Sequence, residues 1–324
     1  MSESPKFISL ATVEAREIDW LWSPYIPRGC LTIFEGDPDV GKSYLAMHLS
    51  ALVTTGGQLP DGQEMGRGRV LYVTSEDDAG ITIRPRIEAM GGDVNRVRVL
   101  EGLLTFTDEG LDLLDKEMRR RPADLVIFDT LFSFLPDGVD LGKPSAVRAQ
   151  LHALEKVFKP HDCAVLLIRH WTKGSKGKAI YRGGGLIDFI GVARTALAVA
   201  KHPEDPDLRV LAQVKNNIGP RGDSRVFKIL GRGESMPVIK WEGTTDLSAD
   251  DLEGAVGLPE KPIDEAETFL QKQLRGGAKA AAEILRIAES YSISKRTIDR
   301  AKQSLGVKSA KNKGGWYWSL PTSS

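Results

Sequence analysis

Short, continuous apolar segments recur through the first two thirds of the chain and alternate with segments of helical periodicity. The apolar segments are rich in Val, Ile and Leu, and they include Cys30–Glu35, Arg69–Thr74, Asp124–Asp129 and Ala164–Ile168. The helical segments between them include Ser43–Thr54, Leu111–Arg120 and Ala146–Val157. Uninterrupted apolar strands are typical of a parallel sheet that is covered on both faces. The alternation predicts an α/β domain with a mostly parallel sheet flanked by helices.

Further apolar runs extend this pattern towards the C-terminus. Thr195–Ala200 and Val210–Val214 would add strands to the sheet, and Arg225–Leu230 would form a hairpin at its edge. The first residues lack strong periodicity but contain two tryptophans, so we expect an ordered arm packed on the body. The predicted organisation is an arm at residues 1–29, an α/β domain at 30–241, an acidic linker at 242–263 and a small domain at 264–324.

The last sixty or so residues show three short helical patterns followed by two short strands. We expect helices at Asp264–Leu274, at Ala278–Ser290, and from an N-cap at Ser294 to Leu305. Val307–Leu320 would form the two strands. Three helices and a hairpin predict a winged helix-turn-helix domain.

Charge is distributed unevenly, although the formal net charge of the chain is zero. Gly243–Phe269 contains eight acidic residues and one basic residue, whereas Arg275–Lys313 contains ten basic and three acidic residues. The asymmetry predicts an acidic connector that leads into a basic module able to bind nucleic acid.

Cysteine usage and hydropathy indicate the compartment. Cys30 and Cys163 stand beside predicted strands, and we expect both to be buried, reduced thiols. The N-terminus lacks the pattern of a signal peptide, and no run approaches the roughly 18 apolar residues of a membrane span. These features predict a cytoplasmic protein that does not engage a membrane.

The segment GDPDVGKS at Gly36–Ser43 has the spacing G-x-x-x-x-G-K-[ST] between a predicted strand and a predicted helix. In this context, backbone N–H groups and the helix N-terminus form a nest for phosphate oxygens. Lys42 adds a charge for the β- and γ-phosphates, and the Ser43 hydroxyl can ligand Mg²⁺. The alternative is a chance glycine-rich turn, and Asp39 stands where many such loops have glycine. The predicted ATP and Mg²⁺ site comprises Gly36, Asp37, Pro38, Asp39, Val40, Gly41, Lys42, Ser43 and Tyr44.

Two acidic positions follow predicted strands and would complete such a site. Asp129 ends the strand in DLVIFDT and would hold Mg²⁺ through water, unless it merely caps the next turn. Glu76 follows the strand in VLYVTSEDD, at the sheet edge where open α/β folds bind ligands. It would orient or deprotonate the attacking water. The alternative is that Asp77 or Asp78 caps a helix at Ile81–Met90 and that Glu76 is only a neighbour.

His170 ends another apolar strand and precedes the basic, glycine-rich segment WTKGSKGKAIYRGGG. Mobile basic residues with aromatic residues suit a single-stranded backbone and its bases. A histidine at this point could couple the state of the phosphate to the position of the loop. The alternatives are a solvated surface loop and a satisfied core histidine. The candidates for binding single-stranded DNA are Lys173, Lys176, Lys178 and Arg182.

These motifs together carry a family resemblance. They are Gly36–Ser43, Ser75–Asp77, Asp129, His170, the string YRGGGLIDFIGVAR at Tyr181–Arg194 and VKNNIGP at Val214–Pro220. Through these motifs, the chain resembles the RecA-like ATPases related to the hexameric plasmid replicative helicase RepA. The resemblance extends from about Asp19 to Lys240. The resemblance implies a RecA-like fold and a ring-forming motor that hydrolyses ATP and acts on DNA, of the kind found in phages and plasmids.

The resemblance also implies roles for single residues. Glu76 would be the catalytic base, and His170 would be a sensor between the γ-phosphate and a DNA-binding loop. Arg194 would be a finger that reaches the ATP of a neighbouring subunit. Lys215 matches a trans-acting lysine of replicative helicases, whereas Asn217 stands where some relatives have arginine. The candidates for the trans-acting finger are therefore Arg182, Arg194 and Lys215.

The predicted third helix of the small domain is strongly basic. Lys295, Arg296 and Arg300 could contact phosphates or base edges of duplex DNA. The alternative is a protein-interaction domain with solvated charges. The sequence therefore leaves three functions open: a DNA-dependent motor, an ATP-responsive DNA-binding regulator of replication or transcription, and a recombinase-like filament ATPase.

Overall fold

The computed structural model describes residues 7–100, 102–140, 143–171, 187–231, 236–255, 261–275, 277–290, 295–312 and 315–321. The chain divides into two compact units, Met1–Val256 and Gly257–Ser324. Among the residues just given, no helix has both the length and the apolar character that crossing a membrane requires.

The first unit contains six α-helices and eleven strands in its described residues. In chain order they are β1 (Trp20–Trp22), β2 (Ile26–Pro27), β3 (Leu31–Gly36), α1 (Lys42–Thr55), β4 (Val70–Thr74), α2 (Arg84–Ala89), β5 (Val97–Val99), α3 (Asp108–Arg120), β6 (Leu125–Asp129), α4 (Pro144–Phe158), β7 (Ala164–His170), α5 (Ile187–Val192), β8 (Thr195–Lys201), β9 (Leu208–Asn216), β10 (Ser224–Leu230), β11 (Val238–Thr245) and α6 (Ala249–Ala255).

Nine of these strands form one sheet in the order β11-β10-β9-β8-β3-β7-β6-β4-β5. The strands from β8 to β5 pair in parallel, whereas β9, β10 and β11 extend the sheet with antiparallel pairing. Parallel neighbours need crossover connections, and helices of the first unit provide them. The predicted α/β fold with a mostly parallel sheet flanked by helices is confirmed.

Both faces of the sheet are covered by helices, which is why its strands are apolar throughout. Ile33 of β3 packs with residues of α3, α4, α5 and α6 on one face. Phe34, the next residue, packs with residues of α1 and α2 on the other. Full burial of each such side chain contributes about 1.5–3 kcal/mol of transfer free energy.

The carboxyl ends of four parallel strands meet at one edge of the sheet. In the register, Gly36 of β3 lies opposite His170 of β7, and Asp129 of β6 lies opposite Ile168 of β7. Thr74, the last residue of β4, lies opposite Asp129. This alignment brings the segments that follow β3, β4, β6 and β7 together, although they are far apart in the sequence.

The predicted arm is packed on the body only in part, and the predicted acidic linker has more structure than its composition indicates. Trp22 and Tyr25 are fully buried in the core beside α1, whereas residues 7–19 are exposed. The segment 242–263 includes the end of β11, the helix α6 and the start of the next helix. Leu252 of α6 is fully buried in the core beneath the sheet. Scattered apolar positions in an acidic stretch give little periodic signal, which is why the sequence indicated a linker there.

The second unit combines three helices with a small antiparallel sheet. Its elements are α7 (Lys261–Leu274), β12 (Lys279–Ala280), α8 (Ala281–Ser290), α9 (Lys295–Ser304), β13 (Lys308–Asn312) and β14 (Gly315–Ser319), and the strand order is β12-β14-β13. Leu270, Ile284 and Ile298 are fully buried at its centre, and Trp318 is nearly so. The Lys302 ammonium lies 4.6 Å from the ring centre of Trp318. The expected N-cap, Ser294, lies outside the described residues.

Candidate functional site

The loop between β3 and α1 is shaped by backbone conformations and close approaches that favour glycine. Gly41 has a φ of 96°, and a Cβ atom there would lie 2.5 Å from Cδ1 of Ile229. A Cβ atom on Gly36 would lie 2.1 Å from the carbonyl oxygen of Val199. Asp39 adopts a φ of 62°, which Asp tolerates better than most residues. The loop therefore accommodates Asp where related loops have glycine.

Lys42 opens α1 and is almost completely buried, with 3% of its surface exposed. Its ammonium donates hydrogen bonds to the carbonyl oxygens of Gly36, at 3.0 Å, and Asp37, at 2.6 Å. Burial lowers the pKa of Lys42 to about 8, against the opposing carboxylates of Asp129, Asp37, Asp39 and Glu76. The ammonium thus rests on neutral carbonyl groups, and an anionic phosphate would be a stronger partner for it.

His170 meets Lys42 at the end of β7. Nδ1 of its ring lies 3.1 Å from the Lys42 ammonium. Burial, and then the charge of Lys42, lower the pKa of His170 below its usual value. The ring is therefore neutral near pH 7, and Nδ1 accepts a hydrogen bond from the ammonium. The histidine is half-buried and contacts the loop side chain that the sequence assigned to phosphate binding.

Asp129, at the end of β6, is 2% exposed. Its Oδ2 accepts a hydrogen bond of 2.7 Å from the Tyr72 hydroxyl, whereas Oδ1 is buried without a hydrogen-bond partner in the structure. Burial raises the pKa of Asp129, and hydrogen bonds with Tyr72 and Ser43 oppose that rise. A hard divalent cation suits these donors, since Mg²⁺ is commonly held by one or two carboxylates together with substrate phosphates.

Glu76 follows β4 and lies across from the end of β6. Its Oε1 accepts a hydrogen bond of 2.9 Å from the hydroxyl of Thr130, and its own side chain is exposed. Thr130 follows Asp129 through a cis peptide bond. Asp78 accepts hydrogen bonds from the backbone N–H groups of Gly80, at 2.8 Å, and Ile81, at 2.7 Å. Asp78 therefore caps the next helical turn, whereas the charge of Glu76 acts to raise the pKa values of Lys42 and His170.

Arg194 and Lys215 lie at the opposite end of the sheet. Arg194 directly precedes β8, and its backbone N–H donates to the carbonyl oxygen of Leu31, the first residue of β3. The Lys215 ammonium donates to the carbonyl oxygens at the end of α5, which are those of Ile190, Gly191 and Ala193. Neither side chain joins Lys42 within one chain, because β8 runs parallel to β3 and begins at the far end.

The other predicted DNA contacts lie elsewhere in the chain. Lys295, Arg296 and Arg300 belong to α9 of the second unit. The core-loop candidates Lys173, Lys176, Lys178 and Arg182 lie outside the described residues.

Several residues that complete the site were not identified from the sequence. Tyr72 points from within β4 to Asp129, and the Thr130 hydroxyl holds Glu76. The Arg86 guanidinium lies 4.3 Å from the centre of the Tyr44 ring, so it covers one face of a predicted nucleotide contact. The only available signal was position, since Thr130 directly follows the metal-site aspartate.

A buried ion pair lies directly below the loop. Glu35 of β3 and Arg169 of β7 are 0% and 1% exposed, and the Nε atom of Arg169 donates to Oε2 of Glu35 at 2.9 Å. Glu35 precedes Gly36 and Arg169 precedes His170, so the pair ties together the two strands that carry the loop and the histidine. Breaking one partner of a buried pair typically costs about 3–5 kcal/mol.

Comparison with known proteins adds a family to this geometry. Residues 3–176 match the AAA domain family. The DNA repair protein RadA of Brucella abortus (strain 2308) is 25% identical over 244 residues, covering 72% of this chain and 45% of that protein. RadA of Mycobacterium tuberculosis (strain ATCC 25618 / H37Rv) is 32% identical over 160 residues, covering 48% of this chain and 30% of that protein. The chain thus spans less than half the length of either curated relative.

Two solved structures are similar in fold. The RadB recombinase has a TM-score of 0.47 and 19% identity, covering 64% of this chain and 89% of that one. The flagellar accessory protein FlaH from Methanocaldococcus jannaschii has a TM-score of 0.47 and 16% identity, covering 67% of this chain and 91% of that one.

The family match covers more than half of the 324 residues. It includes the phosphate loop, Glu76, Asp129 and His170, which the fold brings to one edge of the sheet. The chain therefore belongs to the AAA domain family and carries a P-loop sequence at Gly36–Ser43.

Proposed function

We propose that the protein is a DNA-dependent motor that hydrolyses ATP, a ring-forming replicative helicase or helicase-like ATPase of a mobile element. The observation that carries the proposal is the meeting of three groups at one sheet edge. They are the Lys42 ammonium, the buried and unpartnered Oδ1 of Asp129, and the Glu76 carboxylate held by Thr130. Phosphoryl transfer to water requires a cation for the phosphates, a metal ligand and a group that orients the water.

The chain's own residues would divide the work as follows. The backbone N–H groups of residues 36–43 cradle the phosphates, and Lys42 exchanges its carbonyl partners for phosphate oxygens. Ser43 and Asp129 would hold Mg²⁺, which would supply positive charge to the β- and γ-phosphates. Glu76 accepts a hydrogen bond from the attacking water, and the Thr130 hydroxyl fixes the direction of that carboxylate.

Two features support DNA as the partner of this ATPase. The curated relatives with the matching segment are named DNA repair proteins. The order of helices and strands in the second unit is that of a winged helix-turn-helix, with the basic α9 as its third helix. We assign single-stranded DNA to the basic segment after His170 and duplex DNA to α9.

The position of Arg194 supports assembly into a homo-oligomeric ring. Its side chain is exposed at the end of the sheet opposite to its own phosphate loop. From that position the guanidinium would serve the phosphate loop of another subunit rather than its own. Lys215, which is bonded to the end of α5, would then position the segment beside Arg194.

The experiment that tests the proposal is steady-state ATP hydrolysis with and without single-stranded DNA, on the wild type and on Glu76→Gln at matched concentration. We expect strong stimulation by DNA that the substitution abolishes while ATP binding persists. Tight ATP binding without stimulated turnover would instead favour an ATP-responsive DNA-binding regulator. The observation that favours this second candidate is that the basic second unit has a hydrophobic core of its own.

A further inference from the structure

Three arginine-rich triplets converge at one corner of the sheet in the first unit. They are Arg67-Gly68-Arg69 before β4, Arg96-Val97-Arg98 at the start of β5, and Arg119-Arg120-Arg121 at the end of α3. β5 is the edge strand, and the starts of β4 and β6 lie at the end of the sheet opposite to the phosphate loop. We call the seven arginines of these triplets the arginine corner.

Hydrogen bonds fix the three triplets to one another. The Arg98 guanidinium donates to the backbone carbonyl of Arg121 and pairs with Glu117 of α3. Asp124 accepts a hydrogen bond of 2.9 Å from the backbone N–H of Arg69. The strand start that carries Arg69 therefore lies beside the chain that leaves α3, three residues after Arg121.

Carboxylates neutralise only part of this positive charge. Arg67 and Arg96 share Asp93, at 2.9 Å and 3.6 Å, while Arg119 pairs with Asp115 at 2.8 Å and Arg98 with Glu117. The carboxylate of Asp124 pairs with Arg28 at 3.3 Å. Arg69, Arg120 and Arg121 are exposed, and the described part of the chain gives their guanidinium groups no ion pair.

The three remaining guanidinium groups lie close enough to affect their neighbour. After burial, the charges of Arg121, Arg69 and Arg120 lower the pKa of Arg98. The negative end of the α3 dipole favours Arg119 and Arg120, but it gives no account of Arg69 at the start of a strand. The corner therefore holds an excess of like charge that an anionic partner would relieve.

We propose that the arginine corner binds the phosphodiester backbone of duplex DNA, at a surface remote from the nucleotide site. The proposal rests on the DNA-dependent function proposed above and adds a second contact to it. Guanidinium groups match phosphate oxygens with paired hydrogen bonds, and all seven cations here are arginine rather than lysine.

The composition of the corner selects among anionic partners. The triplets contain no aromatic residue on which an unpaired base could stack, which favours a duplex over a single strand. Protein interfaces usually bury aromatic or aliphatic anchors, and the one apolar side chain in the triplets is the partly buried Val97. Backbone phosphates need neither feature.

The test replaces the three unpaired arginines together, as Arg69→Gln/Arg120→Gln/Arg121→Gln. Its matched control removes three exposed positive charges elsewhere in the first unit, as Arg16→Gln/Lys156→Gln/Lys201→Gln. Binding of the full chain to a duplex of about 30 base pairs, and to one of its strands, is measured over a series of salt concentrations. Thermal melting and ATP hydrolysis without DNA show whether each variant is folded.

We expect the corner variant to bind the duplex at least about tenfold more weakly at about 0.1 M salt, with a salt slope lower by about two to three. The control variant should bind like the wild type. Unchanged duplex affinity and slope would overturn the proposal, as would a loss confined to the single strand. Loss of self-association with duplex binding intact would instead make the corner an interface between copies.

The two proposals fail in different measurements. Absence of ATP hydrolysis in the wild type would refute the motor, yet the loss of duplex affinity in the corner variant could still be observed. DNA-stimulated hydrolysis with equal duplex binding by all variants would retain the motor and refute the corner. A wild type that binds no duplex at any salt concentration would refute the corner as well.

Discussion

The ammonium of Lys42 and Nδ1 of His170 lie 3.1 Å apart, so the lysine of the phosphate loop and the histidine at the end of β7 are joined directly. Lys42 also rests on the carbonyl oxygens of Gly36 and Asp37. A phosphate that draws the ammonium away would leave His170 without this donor. The contact therefore links occupancy of the loop to the strand that leads into the basic segment.

Proton uptake should accompany ATP binding at alkaline pH. Burial lowers the folded-state pKa of Lys42 from 10.5 to about 8. At pH values between these two pKa values, Lys42 is deprotonated in the folded protein without nucleotide but protonated in the unfolded chain. The free energy of unfolding should rise with pH across that window, and phosphate binding should restore the proton. Calorimetric titration at about pH 9 in two buffers of different ionisation enthalpy would show different binding enthalpies.

The control for proton uptake is Lys42→Arg, because a guanidinium stays protonated throughout this range. Any binding that this variant retains should have the same enthalpy in both buffers. Equal enthalpies for the wild type would contradict the lowered pKa.

Thr130→Val should reduce turnover while preserving ATP affinity. The substitution removes the hydroxyl that donates to Oε1 of Glu76 at 2.9 Å and keeps the shape of the side chain. We expect kcat to fall about tenfold with KM unchanged, because the carboxylate loses its orientation rather than its charge. Thr195→Val, which breaks a buried hydroxyl pair with Thr32 at the far end of the sheet, should leave kcat unchanged. Equal losses in both variants would show a general defect of folding.

Tyr72→Phe should shift the pH dependence of hydrolysis. The Tyr72 hydroxyl donates a hydrogen bond of 2.7 Å to Asp129 and thereby favours the ionised carboxylate. Burial acts in the opposite direction and raises the pKa of Asp129. Without that donor the pKa rises further, so the acid limb of the activity profile should move to higher pH. The lost bond should also cost about 1–3 kcal/mol of unfolding free energy.

Tyr25→Phe provides the comparison for Tyr72→Phe. Its hydroxyl donates to the carbonyl oxygen of Asp223 at 2.6 Å, away from the phosphate loop. It should lower stability without moving the acid limb. If the acid limb of the activity profile stays at the same pH in Tyr72→Phe, the assignment of Tyr72 to the metal site would be wrong.

Mixing two inactive variants tests whether Arg194 acts between subunits. Lys42→Ala removes the phosphate cation and Arg194→Ala removes the proposed finger, so each should hydrolyse ATP poorly alone. In mixed oligomers some interfaces contain an intact loop facing an intact arginine, and part of the activity should return. Restoration would be greatest at intermediate ratios, whereas no restoration at any ratio would exclude a trans-acting Arg194.

The phosphate site could be predicted where its chemistry is local in sequence. Gly36–Ser43 lies in one short segment, and its spacing sets the shape of the anion nest. Asp129 and Glu76 could be predicted because the carboxyl ends of parallel strands share an edge, so position relative to a strand was sufficient.

Tyr72 and Thr130 could not be found in this way. Whether a side chain within β4 points to Asp129 depends on strand parity and on the pairing of β4 with β6, which places Thr74 opposite Asp129. Similarly, the position of Arg194 far from Lys42 depends on β8 running parallel to β3. The order and direction of strands follow from packing across the whole unit, and no short motif records them.

The contact between Gly41 and Ile229 also has a consequence for synthesis of the chain. The phosphate loop leaves the ribosome before its packing partner in β10, which emerges nearly two hundred residues later. β8, one of the two neighbours of β3 in the sheet, is likewise synthesised well after β3. A nascent chain that stops before β8 carries the whole nucleotide motif with one edge of its central strand unpaired. Competence to hold nucleotide is thus a late event in the making of this protein.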